Sequence, residues 1–117
     1  MVYEENDSAT AVALDESIWV INSFSKFYGM TGWRVGWVVA PRDAVDALDR
    51  LAQNLFLAAS TPAQYAALAA FQPDTQAILE QRRRVFQQRR DLLLPELRAL
   101  GFEIAQAPQG AFYLYAD

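Results

Sequence analysis

Two short apolar runs lie close together in the first third of the chain, and they constrain its fold more than any other feature. Residues 17–22 are rich in β-branched and aromatic side chains, and residues 34–40 repeat this pattern up to Pro41. Neither run alternates between apolar and polar side chains, which is typical of strands that are buried on both faces. The sequence therefore predicts two strands of an α/β fold, joined by a loop of small residues and glycine.

The spacing of apolar residues becomes helical after the second run. One helix face is formed by Val45, Leu48, Ala52 and Leu55. A second helix is predicted to begin at Thr61, which can act as its cap, and to end near Phe71. A third and longer helix is predicted from Asp74 to Gly101, with a kink at Pro95.

The end of the chain predicts a hairpin of two strands around a turn at residues 108–110. We expect two packing units, because Pro73 separates the second helix from the third. Residues 1–73 are predicted to form the first unit and residues 74–117 the second.

Composition excludes several classes of function. The 117 residues include 14 acids and 10 bases, and this net charge of -4 argues against nucleic-acid binding. Histidine and cysteine are both absent, which excludes disulfides, typical zinc sites and histidine-based triads, and we expect no metal site. The basic run at residues 82–90 is interpreted as a solvated helix face. The acidic start at Glu4, Glu5 and Asp7, with no long apolar run, predicts a cytoplasmic protein that does not span a membrane.

Lys26 is the only lysine, since the other nine of the ten basic residues are arginine. An amine can lose its proton and attack a carbonyl, which a guanidinium in a protein cannot do. On composition alone, a codon preference explains the single lysine better than a chemical requirement does. The surroundings of Lys26 must therefore decide between the two interpretations.

Those surroundings suit a ligand that carries both an aldehyde and a phosphate. Ser23 and Ser25 precede the lysine, at the predicted end of a strand, where ligands of open α/β sheets usually bind. Arg34 follows eight residues after Lys26, and its planar guanidinium can contact a phosphate at two points.

The whole segment from Ser23 to Trp37 resembles the lysine signature of class I/II aminotransferases, which are fold-type I pyridoxal-phosphate enzymes. Small, apolar and small residues precede Lys26, and residues 32–36 read Gly-Trp-Arg-Val-Gly. The resemblance extends over essentially the whole chain and is strongest in residues 18–41 and 106–115. It implies an α/β fold that comprises the end of the large cofactor-binding domain, a mostly parallel sheet with helices, and the start of the small α+β domain, both incomplete.

The same resemblance implies a role for each candidate residue. Lys26 would carry pyridoxal 5′-phosphate as a Schiff base and then act as a general acid and base. Arg34 would bind the cofactor phosphate, Ser23 would donate its hydroxyl to that phosphate, and Ser25 is a further candidate for the same contact. The implied substrates are an amino acid and a 2-oxo acid, and members of this family are usually homodimers.

The resemblance leaves part of the site outside the chain. The aspartate that pairs with the pyridine nitrogen is expected upstream, and the arginine that binds the substrate carboxylate is expected beyond Asp117. The amino donor is therefore open. Two alternatives also stay open: another fold-type I enzyme, such as a C–S lyase, and a non-catalytic remnant.

We predict that the isolated chain is poorly soluble or partly unfolded, and inactive. A parallel sheet that lacks most of its strands exposes apolar faces and unpaired edges. Light scattering, thermal melting and a transamination assay on the purified 117-residue chain test this prediction. A monomer that melts cooperatively and transaminates would contradict it.

Overall fold

The computed structural model describes residues 1–3 and 10–117, which divide into two compact units. One unit comprises residues 1–3 and Pro73–Asp117, and the other comprises residues 10–72. Glu4, Glu5 and Asp7, which support the expected location, lie outside the described residues. None of the helices in the described part of the chain is long and apolar enough to cross a membrane.

Two strands in the unit of residues 10–72 pair with each other. Strand β1 (Val20–Ser23) and strand β2 (Gly36–Val39) are antiparallel, with Ser23 opposite Gly36. β2 begins later than predicted because Arg34 adopts a left-handed φ of 53°, which interrupts the extended chain. The expected burial on both faces is not met within this chain, since Ile21 on β1 is 83% exposed.

Two helices follow the strands. Helix α1 (Val45–Leu55) is preceded by a 3-10 turn, and helix α2 (Thr61–Ala70) has a proline in its first turn. The cap position of α2 is Ser60, one residue before the predicted cap. No side-chain cap bond forms at this position, and the side chain of Gln64 donates to the carbonyl of Ala59 at 2.7 Å.

The core of this unit lies between α2 and the loop that joins the two strands. Phe24 and Met30 from the loop are buried together with Ala67 and Ala70 of α2. Small side chains on one face of α2 let the helix approach the loop closely. The position of the loop is therefore fixed by packing beneath it.

The other unit is built on a long helix, α3 (Pro73–Ala99), which continues through Pro95. Its C-terminus is closed at the predicted glycine, because Gly101 has a φ of 95°. The amides of Gly101 and Phe102 donate to the carbonyls of Arg98 and Leu97, at 3.0 and 3.1 Å. This pair of bonds satisfies the last turn of a helix in the manner of a Schellman motif.

The predicted C-terminal hairpin is wrong in its strands. No strand forms after α3, a region that the structure describes completely. Glu103 and Asp117 exchange two backbone hydrogen bonds, of 3.0 and 3.1 Å, and nothing beyond them forms a ladder. Gly110 instead pairs with Val2 in an isolated bridge, so backbone groups of the predicted turn are satisfied by the first residues of the chain.

The sequence predicts that the basic run of α3 is a solvated helix face, but two of its arginines are largely buried. The side chains of Arg83 and Arg90 are only 14% and 12% exposed. Arg83 binds Glu80 with two nitrogens and also donates to the carbonyl of Tyr3, while Arg90 donates to the carbonyl of Pro108 at 2.7 Å. Arginines of α3 therefore hold the irregular segments of this unit by their backbone carbonyls.

The Glu80–Arg83 pair predicts a pH dependence at low pH. Hydrogen bonding to Arg83 lowers the pKa of Glu80 from 4.5 to about 2. Its stabilising contribution is therefore complete above pH 4.5 and is lost as the pH falls toward 2. Because the Glu80 side chain is 40% exposed, we expect no more than about 1 kcal/mol from the pair.

Carboxyl NMR titration and helicity measured against pH test this expectation. Glu80→Gln should weaken the loss of helicity over that interval, whereas Glu96→Gln on the same helix should not. A normal titration of Glu80 in the unchanged chain would show that the ion pair is absent in solution.

Candidate functional site

The only lysine lies on an exposed turn that directly follows β1. The strand ends at Ser23, and the chain then turns through residues 24–29. The amide of Gly29 donates to the carbonyl of Lys26 at 3.1 Å, and Gly29 has a φ of 67°, a conformation that favours glycine. Lys26 is an exposed residue on this turn.

Phe24 anchors this turn to the core. Its side chain is 5% exposed and contacts three aromatic rings, those of Tyr28, Trp37 and Phe71, at centroid distances of 4.7, 5.0 and 5.6 Å. The aromatic contacts hold the inner side of the turn. The two serines and the lysine around Phe24 are thereby left at the surface or half-buried.

The two candidate serines meet. The amide of Ser25 donates to Ser23 Oγ at 3.0 Å, and the two hydroxyl oxygens are 2.9 Å apart. A hydroxyl both donates and accepts, so the pair retains capacity to bind an acceptor oxygen. The end of β1 therefore presents two hydroxyls as one polar group.

Arg34 is connected to the serines through Thr31. Its Nη1 donates to the carbonyl of Thr31 at 2.9 Å, and Thr31 Oγ1 donates to the carbonyl of Ser25 at 2.7 Å. Thr31 thus bonds to Arg34 through its carbonyl and to Ser25 through its hydroxyl, and the amide of Ser25 in turn bonds to Ser23. Arg34 is eight residues from Lys26 in sequence, and the closure of the loop returns it to the same part of the unit.

The charges of this segment favour an anion. Lys26 and Arg34 are the only charged residues between Ser23 and Trp37, and both are cations. A guanidinium and two hydroxyls are suitable ligands for phosphate oxygens, and a neutral amine can attack a carbonyl carbon. The segment is therefore equipped for an anionic carbonyl compound.

Thr31 has no role that its sequence context indicates, although this residue joins the two ends of the site. A threonine in a loop of small residues carries no distinct signal. Its bond to Ser25 spans six residues and forms only when the loop closes. Local pattern could not have identified this contact.

Comparisons with known proteins agree on the family. The family model for aminotransferase class I and II matches residues 1–117. A (5-formylfuran-3-yl)methyl phosphate transaminase from Methanocaldococcus jannaschii is 39% identical, over 100% of this chain and 32% of the relative. A valine–pyruvate aminotransferase from Mycobacterium tuberculosis is 41% identical, over 84% of this chain and 25% of the relative. The solved structure of an aminotransferase from M. tuberculosis superimposes with a TM-score of 0.90 at 37% identity, over 99% of this chain and 30% of that one.

The chain belongs to the class I and II aminotransferases, because that family model covers its whole length. Its fold is that of a part of a fold-type I aminotransferase. The chain spans about a quarter to a third of the length of these relatives.

Two glycines of the signature should respond differently to a methyl group. A Cβ on Gly36 would lie 2.5 Å from the carbonyl oxygen of Asn22 and 3.3 Å from the Cα of Ser23, whereas a Cβ on Gly32 would meet nothing within 4 Å. We therefore expect Gly36→Ala to separate the strands beside Ser23 at a cost of about 1–3 kcal/mol. Gly32→Ala is the matched control.

Amide hydrogen exchange of β1 and β2 measures the effect. Protection of the strand amides should fall in the Gly36 variant and stay near that of the parent in the Gly32 variant. Equal protection in both variants would mean that the close approach at Gly36 does not hold the strands in solution.

Proposed function

We propose that this chain is the lysine-bearing part of a pyridoxal 5′-phosphate-dependent aminotransferase, which transfers an amino group between an amino acid and a 2-oxo acid. One observation carries the proposal. An exposed lysine, two adjacent hydroxyls and a guanidinium share one acid-free loop above a packed aromatic core. Family membership supports it, since both relatives described above are named as enzymes of this reaction class.

The donor set fits the proposed cofactor. When bound, pyridoxal phosphate withdraws electrons from the substrate Cα and so makes its proton removable. Arg34 would bind the phosphate through its planar guanidinium, and the hydroxyls of Ser23 and Ser25 would donate to the same phosphate. These contacts would orient the aldehyde end of the cofactor toward the turn that carries Lys26.

Lys26 would have two roles. Its Nζ would attach covalently to the aldehyde carbon, with the carbonyl oxygen leaving as water. After a substrate amine displaces it, the neutral Nζ would accept the proton from the substrate Cα and return it to the cofactor carbon on the other side of the nitrogen. An arginine at the same position could do neither, because a guanidinium stays protonated in proteins.

The finer parts of the proposal concern the whole protein. Transfer is favoured over elimination by the names of the relatives, although these relatives have different substrates. A full-length version supplied with an amino acid and a 2-oxo acid should produce a new amino acid. Release of pyruvate and ammonia from a single substrate would instead favour a C–S lyase. We also propose that the whole protein is a cytoplasmic homodimer. We propose further that it binds neither nucleic acid nor a membrane, and the net charge of -4 is in keeping with the absence of nucleic-acid binding.

Covalent labelling tests the role of Lys26 directly. Incubation of the chain with pyridoxal phosphate, followed by borohydride reduction, should place the cofactor mass on the peptide that contains Lys26. Because Lys26 is the only lysine, the α-amine of Met1 is an internal reference for unselective reaction. Lys26→Arg should leave only the label at Met1.

The phosphate contact is tested in the same experiment with an arginine pair. We expect Arg34→Ala to lower labelling of Lys26 by pyridoxal phosphate about tenfold, as for the loss of a charged contact, and to change labelling by unphosphorylated pyridoxal little. Arg42→Ala, outside the loop, is the matched control. Labelling of Lys26 that does not exceed that of Met1 would contradict the proposed function.

A further inference from the structure

We propose that Thr31 is a positioning residue that sets the separation between the amine of Lys26 and the guanidinium of Arg34. The inference rests on the proposed function, in which one ligand presents its aldehyde to Lys26 and its phosphate to Arg34. Such a ligand reacts fast only if both groups are held at the separation that it spans.

The hydroxyl of Thr31 holds the lysine side of the site. Thr31 Oγ1 donates to the carbonyl of Ser25 at 2.7 Å. That carbonyl belongs to the peptide group that joins Ser25 to Lys26. The bond therefore fixes the peptide plane from which the lysine side chain departs.

The backbone of Thr31 holds the arginine side of the site. Its carbonyl accepts a hydrogen bond from Arg34 Nη1 at 2.9 Å. Arg34 reaches back to this carbonyl because its backbone is left-handed, with a φ of 53°, after a 3-10 turn over Thr31–Trp33. A non-glycine residue in that conformation carries strain, so the returning side chain is held against an opposing cost.

The loop is also held by backbone bonds and buried contacts that do not involve the hydroxyl of Thr31. Two backbone hydrogen bonds close the loop. The amide of Phe24 donates to the carbonyl of Val35 at 3.2 Å, and the amide of Met30 donates to the carbonyl of Phe24 at 3.1 Å. Phe24 and Met30 also supply its buried contacts, whereas Thr31 is exposed. Removal of the hydroxyl should therefore free the Ser25 carbonyl and leave the core packed.

One residue thus connects both ends of the site. Without the hydroxyl, the turn that carries Lys26 can move relative to Arg34, and a ligand bound through its phosphate presents its aldehyde less often to the amine. A ligand that lacks the phosphate depends on Lys26 alone and should be affected little. The signature of a positioning role is therefore a loss of preference for the phosphorylated aldehyde.

The test compares Thr31→Val, which keeps the shape but lacks the hydroxyl, with Thr31→Ser, which keeps the hydroxyl. Thr75→Val on α3 is the matched control. For each chain, the rate of borohydride-trapped labelling at Lys26 is measured with pyridoxal phosphate and with pyridoxal, and the label at Met1 serves as reference. Reduction adds hydride to the carbon–nitrogen double bond that forms with loss of water, so the label is a stable secondary amine. Amide hydrogen exchange at Gly29, whose amide donates to the carbonyl of Lys26, is measured in the same chains without any aldehyde.

The expected result is a fall of about fivefold to tenfold in the ratio of the two labelling rates for Thr31→Val, equivalent to one hydrogen bond. Thr31→Ser and Thr75→Val should keep the ratio of the parent, and exchange in the Lys26 turn should quicken only in Thr31→Val. A ratio in Thr31→Val within twofold of the parent would overturn the proposal. So would an equal loss with both aldehydes, or a loss in Thr31→Ser as large as in Thr31→Val.

Failure of the proposed function has a different appearance. In that case the unchanged chain itself shows no preference for pyridoxal phosphate over pyridoxal at Lys26, and the role of Thr31 falls with it. A parent chain with this preference, together with an unaffected Thr31→Val, would remove only the role of Thr31.

Discussion

The close antiparallel approach of β1 and β2 is the constraint on which the rest of the site depends. Ser23 at the end of one strand is opposite Gly36 at the start of the other, and an added methyl group at Gly36 would collide with the backbone of β1. This pairing fixes both ends of the intervening loop. Because the ends are fixed, the loop must fold back on itself, and that return brings Arg34 into hydrogen-bonding connection with the serines.

The loop places its apolar residues on the side that faces the core and its polar residues on the side that faces solvent. Phe24 and Met30 turn inward and pack on the small residues of α2, while Ser23 and Lys26 are exposed and Ser25 is half-buried. Apolar burial supplies the free energy that orders the turn, and the polar groups need not contribute to it. Lys26 can therefore stay exposed on a turn that is nevertheless held by packing. The same separation is what makes Thr31 testable, since its hydroxyl joins polar groups without entering the core.

Prediction from sequence succeeded where a signal was local. The lysine segment was identified as that of an aminotransferase from residue types at fixed spacing, and the family comparison confirms this identification. Gly101 was expected to close α3, and its left-handed backbone does so. The prediction of two C-terminal strands was wrong, because an apolar pattern does not specify which backbone segment will pair with it. Gly110 pairs with Val2 rather than in a local hairpin, and no local rule distinguishes the two partners. The prediction that the arginines of α3 are solvated was wrong for a similar reason. Two of them donate to backbone carbonyls that only folding brings close.

The sequence by itself determined the family and the sites of helix formation, and it supplied the candidate residues of the site, because spacing and side-chain type are properties of the chain. Only the tertiary structure decided how those residues are connected. The meeting of the two serine hydroxyls, the left-handed turn at Arg34 and the double contact of Thr31 all depend on closure of the loop. Closure is decided by strand pairing and by burial of Phe24. Both depend on contacts between residues that are far apart in sequence, so neither can be predicted from a local pattern.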